Sequence, residues 1–272
     1  MVISFSVLIS IYHKENPDWF REALDSVFAQ TAQPSEIVLV EDGPLTLELY
    51  AVIDEYKEKH PIFNIVKNET NLGLGLALQK GVKAAKYDIL ARMDTDDVIP
   101  PHRFETQLAK IEEGYDVVSC WSRLFDDKTG KIIAVKTRPE KHEDIVKLAH
   151  RRSPVCHAAV VMRKNAVLKA GNYLPRQYYE DYNLWVRMIL KGAQFYNIQE
   201  VLYDVRTTKE QVSRRSGWSY LRNELKYLCE FYGMGFYSWK DLLLNANIRI
   251  VTRLLPSGIR EKMFKKIWNF KG

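Results

Sequence analysis

Four short runs in the first hundred residues carry apolar side chains at adjacent rather than alternate positions, and helical periodicity fills the gaps between them. Phe5 to Ile11 (FSVLISI), Glu36 to Val40 (EIVLV), Ile62 to Lys67 and Tyr87 to Ala91 have the length and content of strands. Pro17 to Gln30, Leu45 to Lys59 and Leu74 to Ala85 read as the helices between them. Strands that are apolar on both sides need cover on both faces, and strands joined by helical crossovers run parallel. The pattern therefore predicts an α/β fold: a Rossmann-like, mostly parallel sheet flanked by helices. Asn16 is placed to cap the first helix with Pro17 in its first turn, and Trp19, Ala23, Val27 and Phe28 are expected to face inward.

The pattern changes after Pro101. Arg103 to Glu113 is helical, Asp116 to Trp121 a strand, and Asp127-Lys128-Thr129-Gly130 reads as the turn of a hairpin. Glu143 to His150 and Asp181 to Leu190 are helical, with Ala158 to Met162 a strand between them. From Trp218 onward the segments are helical, with no strand signal. This divides the chain into an α/β domain over residues 1–215, with halves 1–101 and 102–215, and a basic helical extension over 216–272.

A content of 46% hydrophobic and 27% charged residues excludes extensive disorder. Cys120, Cys156 and Cys229 are widely spaced with no C-x-x-C pair, which argues for buried thiols rather than zinc or a disulfide framework. The N-terminal run has no basic leader and reads as a core strand, and no stretch has the ~20 apolar residues that span a bilayer. The expected location is cytoplasmic. Residues 205–272 carry a net charge of +9 against +6 for the whole chain, which leaves −3 on the first 204. An acidic body with a basic tail opposes a nucleic-acid binder, whose basic groups would line the body.

Two acidic groups fall at predicted strand ends, where doubly wound sheets bind ligands. Glu41 and Asp42 follow the second strand; Asp94, Asp96 and Asp97 follow the fourth. Carboxylates this close repel unless a cation or donors compensate. Asp94-x-Asp96 suits Mg²⁺ or Mn²⁺, and an Asp-rich helix cap is the plain alternative. The loop NLGLGLALQKG, Asn71 to Gly81, allows close backbone approach, yet it lacks both the phosphate-loop Gly-Lys-Ser/Thr ending and the dinucleotide G-x-G-x-x-G spacing. Glu180 and Asp181 precede an amphipathic helix whose Leu184, Trp185, Met188 and Ile189 face inward; they are either an acidic first turn or a base for proton transfer.

Taken in order, SVLISIYHKE, EIVLVEDGP, NLGLGLALQKG, YDILARMDTDDVIPPHRFE and YYEDYNLWVRM resemble the inverting nucleotide-sugar glycosyltransferases of family 2, which have a GT-A fold, over about residues 4–207. The nearest likeness is to the bacterial group that builds capsule, exopolysaccharide and O-antigen units. The resemblance implies that Ile11, Tyr12, Glu41 and Asp42 border the uracil and ribose of a UDP-sugar, with Asp42 the firmer contact because Glu41 stands where the family has Asp. It implies that Asn71 and Gly73 lie beside the nucleotide. By the same resemblance Thr95 lies at the donor, and Arg92 and Arg103 flank the acidic motif, to balance its charge or meet phosphate; a surface or structural ion pair is the alternative for both, and an equal one for Arg103. Asp94 and Asp96 match the family's metal motif, with Asp96 the direct ligand. Asp181 is the implied base, with Glu180 second or orienting the acceptor. His157 matches a position near the acceptor, where a core histidine is an equal alternative. Arg206, with Lys209, Arg214 and Arg215, would close over the pyrophosphate from a loop after the last core strand, or form a solvated basic stretch.

The implied partners are a nucleotide-sugar donor and a glycan or polyprenyl-diphosphate-linked acceptor, with peripheral membrane contact through 218–272; a homodimer stays open, and nucleic acid is not expected. Aromatic, aliphatic and basic residues interleave in that tail, at Ile248 to Leu255 and again at Met263, Phe264, Ile267 and Trp268, which suits an anionic membrane interface and equally suits amphipathic helices that pack on the core or on a second subunit. A sugar-phosphate nucleotidylyltransferase is the rival enzyme, but it would carry a Gly-rich basic loop where this chain has IYHKENP.

Overall fold

The computed structural model describes residues 3–176, 178–207 and 218–254. The first half alternates as expected: β1 (Ser6–Ile11), α1 (Pro17–Phe28), β2 (Glu36–Asp42), α2 (Leu47–Lys59), β3 (Phe63–Asn68), α3 (Leu74–Ala84) and β4 (Ile89–Met93). These four strands lie in the order β3-β2-β1-β4, all parallel. Side chains of successive strand residues point to opposite faces. Val7, Ile9, Ile37 and Leu39 therefore pack against α1 and α2, while Leu8, Val38 and Val40 pack against α3. Gly81 brings α3 close: a Cβ there would stand 2.4 Å from Leu8 Cδ1. The Asn16 side chain caps α1, accepting from the Asp18 and Trp19 amides at 2.8 and 3.3 Å. The buried face of α1 is Phe20, Ala23, Leu24 and Val27. Trp19, expected to face inward, is rotated to a half-buried position with the Arg206 guanidinium 5.2 Å above its ring.

The second half departs from a purely parallel sheet. After α4 (Arg103–Glu112) come β5 (Val117–Asp126), β6 (Ile132–Lys136), α5 (His142–Ala149), β7 (Val161–Arg163), α6 (Lys164–Lys169), α7 (Glu180–Leu190) and β8 (Phe195–Thr207). The segment read as a strand from Ala158 is a 3-10 turn at His157–Ala159 followed by the three residues of β7. β7 pairs antiparallel with both β4 and β5, and so joins the two halves. β5 and β6 form the expected hairpin, with Gly130 at φ 65° in its turn. β8 runs parallel to β5 along its whole length, and the sequence pattern did not reveal it.

Two helices follow, α8 (Trp218–Gly233) and α9 (Trp239–Leu254). Tyr227, Leu228 and Phe231 of α8 pack on Tyr179, Tyr182 and Val186 at the start of α7 in a separate aromatic core. No helix among the described residues is long and apolar enough to cross a membrane. Lys209, Arg214, Arg215 and the second aromatic-basic run at Met263 to Trp268 lie outside the described residues. Cys120 is buried and Cys156 half-buried, as small hydrophobes, whereas Cys229 is exposed, contrary to expectation.

Candidate active site

The acidic turn after β4 is built by long-range contacts. The Tyr203 hydroxyl of β8 accepts the Asp94 amide at 3.1 Å and hydrogen-bonds the Asp97 carboxylate. Asp97 Oδ1 also accepts the Arg206 amide at 2.9 Å. Val98 and Asp204 exchange backbone hydrogen bonds of 3.1 and 2.9 Å, a single bridge that pins the turn to β8. One side chain then closes the clamp: Arg206 Nε donates to the Asp96 carbonyl at 2.8 Å. Its other nitrogens reach Asp127 at 2.7 Å and Glu22, and its plane lies 5.0 Å from the Phe125 ring. Arg206 was expected in a loop closing over pyrophosphate. It sits instead in β8, buried and committed to the turn, because four acceptors and two rings occupy it.

Within the turn, one carboxylate oxygen each of Asp94, Asp96 and Asp97 lie within 4.8 Å of one another. Asp97 is buried and held by the chain, so Asp94 and Asp96 are the two left half-buried. Burial and the neighbouring Asp94 charge raise the Asp96 carboxyl to about 6. Burial and both neighbouring acids push Asp97 well above the usual range. The donors of the turn are all hard oxygens, the set that Mg²⁺ and Mn²⁺ prefer. Thr95 between them is buried.

Arg92 lies beneath the turn, 1% exposed, and its Nη2 pairs with Asp94 at 2.5 Å. Its Nε and Nη1 have no hydrogen-bond partner. A buried guanidinium with two unpartnered donors is costly, and the ion pair with Asp94 is what offsets its charge. Arg103, the other flanking arginine, faces away. It is fully buried, donating to Gln107 and to the Arg92 carbonyl at 2.8 Å each, and is a strut rather than a phosphate contact.

The second acidic pair opens α7. Burial first, then the adjacent Asp181 charge, raises the Glu180 carboxyl to about 7. Burial also raises Asp181, against hydrogen bonds from the Tyr182 amide and the Ser153 hydroxyl, the latter at 3.2 Å. Both acids sense Arg92, and Glu180 senses Asp94, so the two constellations share one site. Gly75 permits this: a Cβ there would lie 2.9 Å from the Leu174 carbonyl and 3.2 Å from Glu180 Cβ.

On the nucleotide side, Asp42 is buried and accepts from Asn68 at 2.9 Å and from the Leu72 and Gly73 amides at 2.8 and 2.9 Å. Three of its roughly four acceptor positions are used, so its first task is to shape the 71–73 loop. Gly43, at φ 90°, lets that loop pass: a Cβ would stand 2.8 Å from the Asn71 amide. Glu41 pairs with Lys67 at 3.3 Å. Ile11 is buried, Tyr12 half-buried and Asn71 exposed, so Tyr12 and Asn71 are the groups of this side open to a ligand. His157 is half-buried: its Nε2 meets the Tyr173 hydroxyl at 2.9 Å and its ring packs on Trp185. Burial and the Arg92 charge disfavour its protonated form.

The site can therefore hold a divalent cation between two aspartates, present a buried cation to phosphate, and offer a basic carboxylate opposite. The family model described as "Glycosyl transferase family 2" matches residues 6–170. The chain is 36% identical over 265 residues to the Escherichia coli UDP-Gal:alpha-D-GlcNAc-diphosphoundecaprenol beta-1,3-galactosyltransferase, covering 97% of this chain and 96% of that protein. It is 37% identical over 263 residues to the amylovoran biosynthesis glycosyltransferase AmsE of Erwinia amylovora, covering 96% and 98%. The crystal structure of S. aureus TarS 1-349 in complex with UDP-GlcNAc superposes with a TM-score of 0.65 over 98% of this chain and 72% of that one; at 15% identity this speaks for the fold. With the family model over most of the sheet and two relatives aligned almost end to end, the chain belongs to glycosyltransferase family 2.

Proposed function

We propose that the chain moves a sugar from a nucleoside-diphosphate donor, UDP-linked by preference, to a hydroxyl of a polyprenyl-diphosphate-linked glycan in bacterial surface polysaccharide assembly, inverting the anomeric carbon. Family membership removes the nucleotidylyltransferase and nucleic-acid-binding alternatives. The carrying observation is the single site formed by the Asp94–Asp96 turn, Arg92 and the Glu180–Asp181 pair. The printed activity of the Escherichia coli relative, which uses UDP-Gal and a diphosphoundecaprenol acceptor, supports the donor and acceptor classes.

Asp96, assisted by Asp94, is the proposed ligand for Mg²⁺ or Mn²⁺, which when bound would supply Lewis-acid stabilisation of the leaving diphosphate. The chain does the rest. Arg92 holds Asp94 from beneath and offsets the charge of the acidic turn. Tyr12, Asn71 and the loop that Asp42 shapes receive the nucleoside. Asp181 takes the proton of the attacking hydroxyl while Glu180 orients the acceptor. A base in a partly desolvated site has the raised basicity this step needs. Direct attack from the face opposite the diphosphate inverts the centre without a sugar-enzyme intermediate.

A thermal-shift screen of nucleotide sugars with and without Mn²⁺ tests the donor and metal parts. Ligands that bind the native state stabilise it, by about 2.7 kcal/mol at a hundredfold excess over Kd. A UDP-sugar should raise the melting temperature with Mn²⁺, and Asp96→Asn should remove the Mn²⁺-dependent share without destabilising the ligand-free fold. A full Mn²⁺-dependent shift in that variant would remove the metal assignment.

A further inference from the structure

α9 is inverted relative to an ordinary surface helix. Three of its polar residues face the protein: Asp241 takes the Arg151 guanidinium at 2.6 Å, and buried Asn245 donates to the His150 carbonyl at 2.9 Å. Arg249 donates to the Arg151 carbonyl at 3.1 Å and pairs with Glu224. Leu242 packs on the aromatic core, but six other large apolar residues face solvent. Trp239, Leu243 and Val251 are 60%, 54% and 57% exposed, and Leu244, Ile248 and Ile250 stand beside them, also exposed. Amphipathic helices on a soluble body bury the apolar stripe and expose the polar one. Contiguous exposed aliphatic side chains with a tryptophan at one end mark a surface meant to be covered.

Charge identifies the cover. Lys240 is exposed, with its ammonium 5.7 Å from the Trp239 ring. The chain beyond Leu254 adds Arg260, Lys262, Lys265, Lys266 and Lys271 against Glu261 alone. Residues 205–272 together carry +9. A second copy of the chain would bring like charges together, which opposes association. An anionic lipid surface offers both complements at once: negative headgroups for the basic residues and an apolar boundary for the side chains. We propose that the outer face of α9 docks the chain on an anionic bilayer surface. Docking of this kind is independent of which sugar is moved.

Sedimentation of the full chain with phosphatidylglycerol–phosphatidylcholine vesicles tests this. The chain should pellet at low salt, be released at high salt, and remain in the supernatant with phosphatidylcholine alone. The double variant Leu243→Ser, Val251→Ser removes two exposed side chains, so it should fold as before yet partition about tenfold more weakly or worse. A full chain that stays soluble with anionic vesicles at low salt overturns the proposal, as does a double variant that pellets like the parent. So does a solution dimer that the double variant splits while neither form binds vesicles, since the face would then join two copies.

Discussion

At the scale of single residues, the site is governed by how burial and neighbouring charge act on a few carboxylates. Glu180 has a carboxyl raised to about 7, so its ionised form is less stable in the folded chain than in the unfolded one. The sign follows: its contribution to stability is complete below the ordinary glutamate value and is lost as pH rises through about 7. Glu180→Gln removes that loss. The variant should be more stable than the parent at pH about 8 by roughly 1–2 kcal/mol, discounted for partial exposure, with the gain gone near pH 5. Denaturant melts at the two pH values check it, and an equal gain at both would mean that Glu180 is not held neutral by its surroundings. The acids were legible in the sequence because Asp94, Asp96, Glu180 and Asp181 are dense at element ends. Tyr203, which holds the Asp94 amide and Asp97, was not, because nothing local links residues 109 positions apart.

At the scale of elements, the alternating half of the fold was readable and the second half was not. β1, β2 and β4 are apolar at adjacent positions because both faces are covered, and that cover leaves a direct mark on sequence. β8 mixes Asn197, Gln199, Glu200, Asp204 and Arg206 into its thirteen residues. Asn197, Asp204 and Arg206 have partners supplied only by the folded chain: the Pro139 carbonyl, Arg123, and the acidic turn. The same fact moves Arg206 from a flexible loop to a clamp. Arg206→Met keeps the stem against Trp19 and Phe125 but removes the charged hydrogen bonds, which are worth about 1.5–3 kcal/mol each before exposure of Glu22 is allowed for. The variant should lose about 2–3 kcal/mol of stability and, with the Asp96 carbonyl released, lose Mn²⁺-dependent nucleotide binding. A stable variant with unchanged nucleotide binding would show that β8 does not position the turn.

At the scale of the whole molecule, one sheet edge collects the chemistry. Strand ends of β2 and β4, the opening of α3 and the opening of α7 converge where Gly43 and Gly75 let backbones approach. α8 packs on Tyr179, Tyr182 and Val186 at the opening of α7, so the helical extension is joined to the body beside Glu180 and Asp181. The central claim, that a sugar leaves a nucleotide for a hydroxyl deprotonated by Asp181, is tested most directly by one measurement. Transfer of radiolabelled sugar from a UDP-sugar to a polyprenyl-diphosphate-linked acceptor is followed for the parent and for Asp181→Asn, with donor affinity measured in parallel. Turnover should fall roughly 10²–10⁴-fold, the usual worth of a general base, while donor affinity stays nearly constant. Parental turnover in Asp181→Asn would contradict the account, and a dead Glu180→Gln beside it would hand the role of base to Glu180.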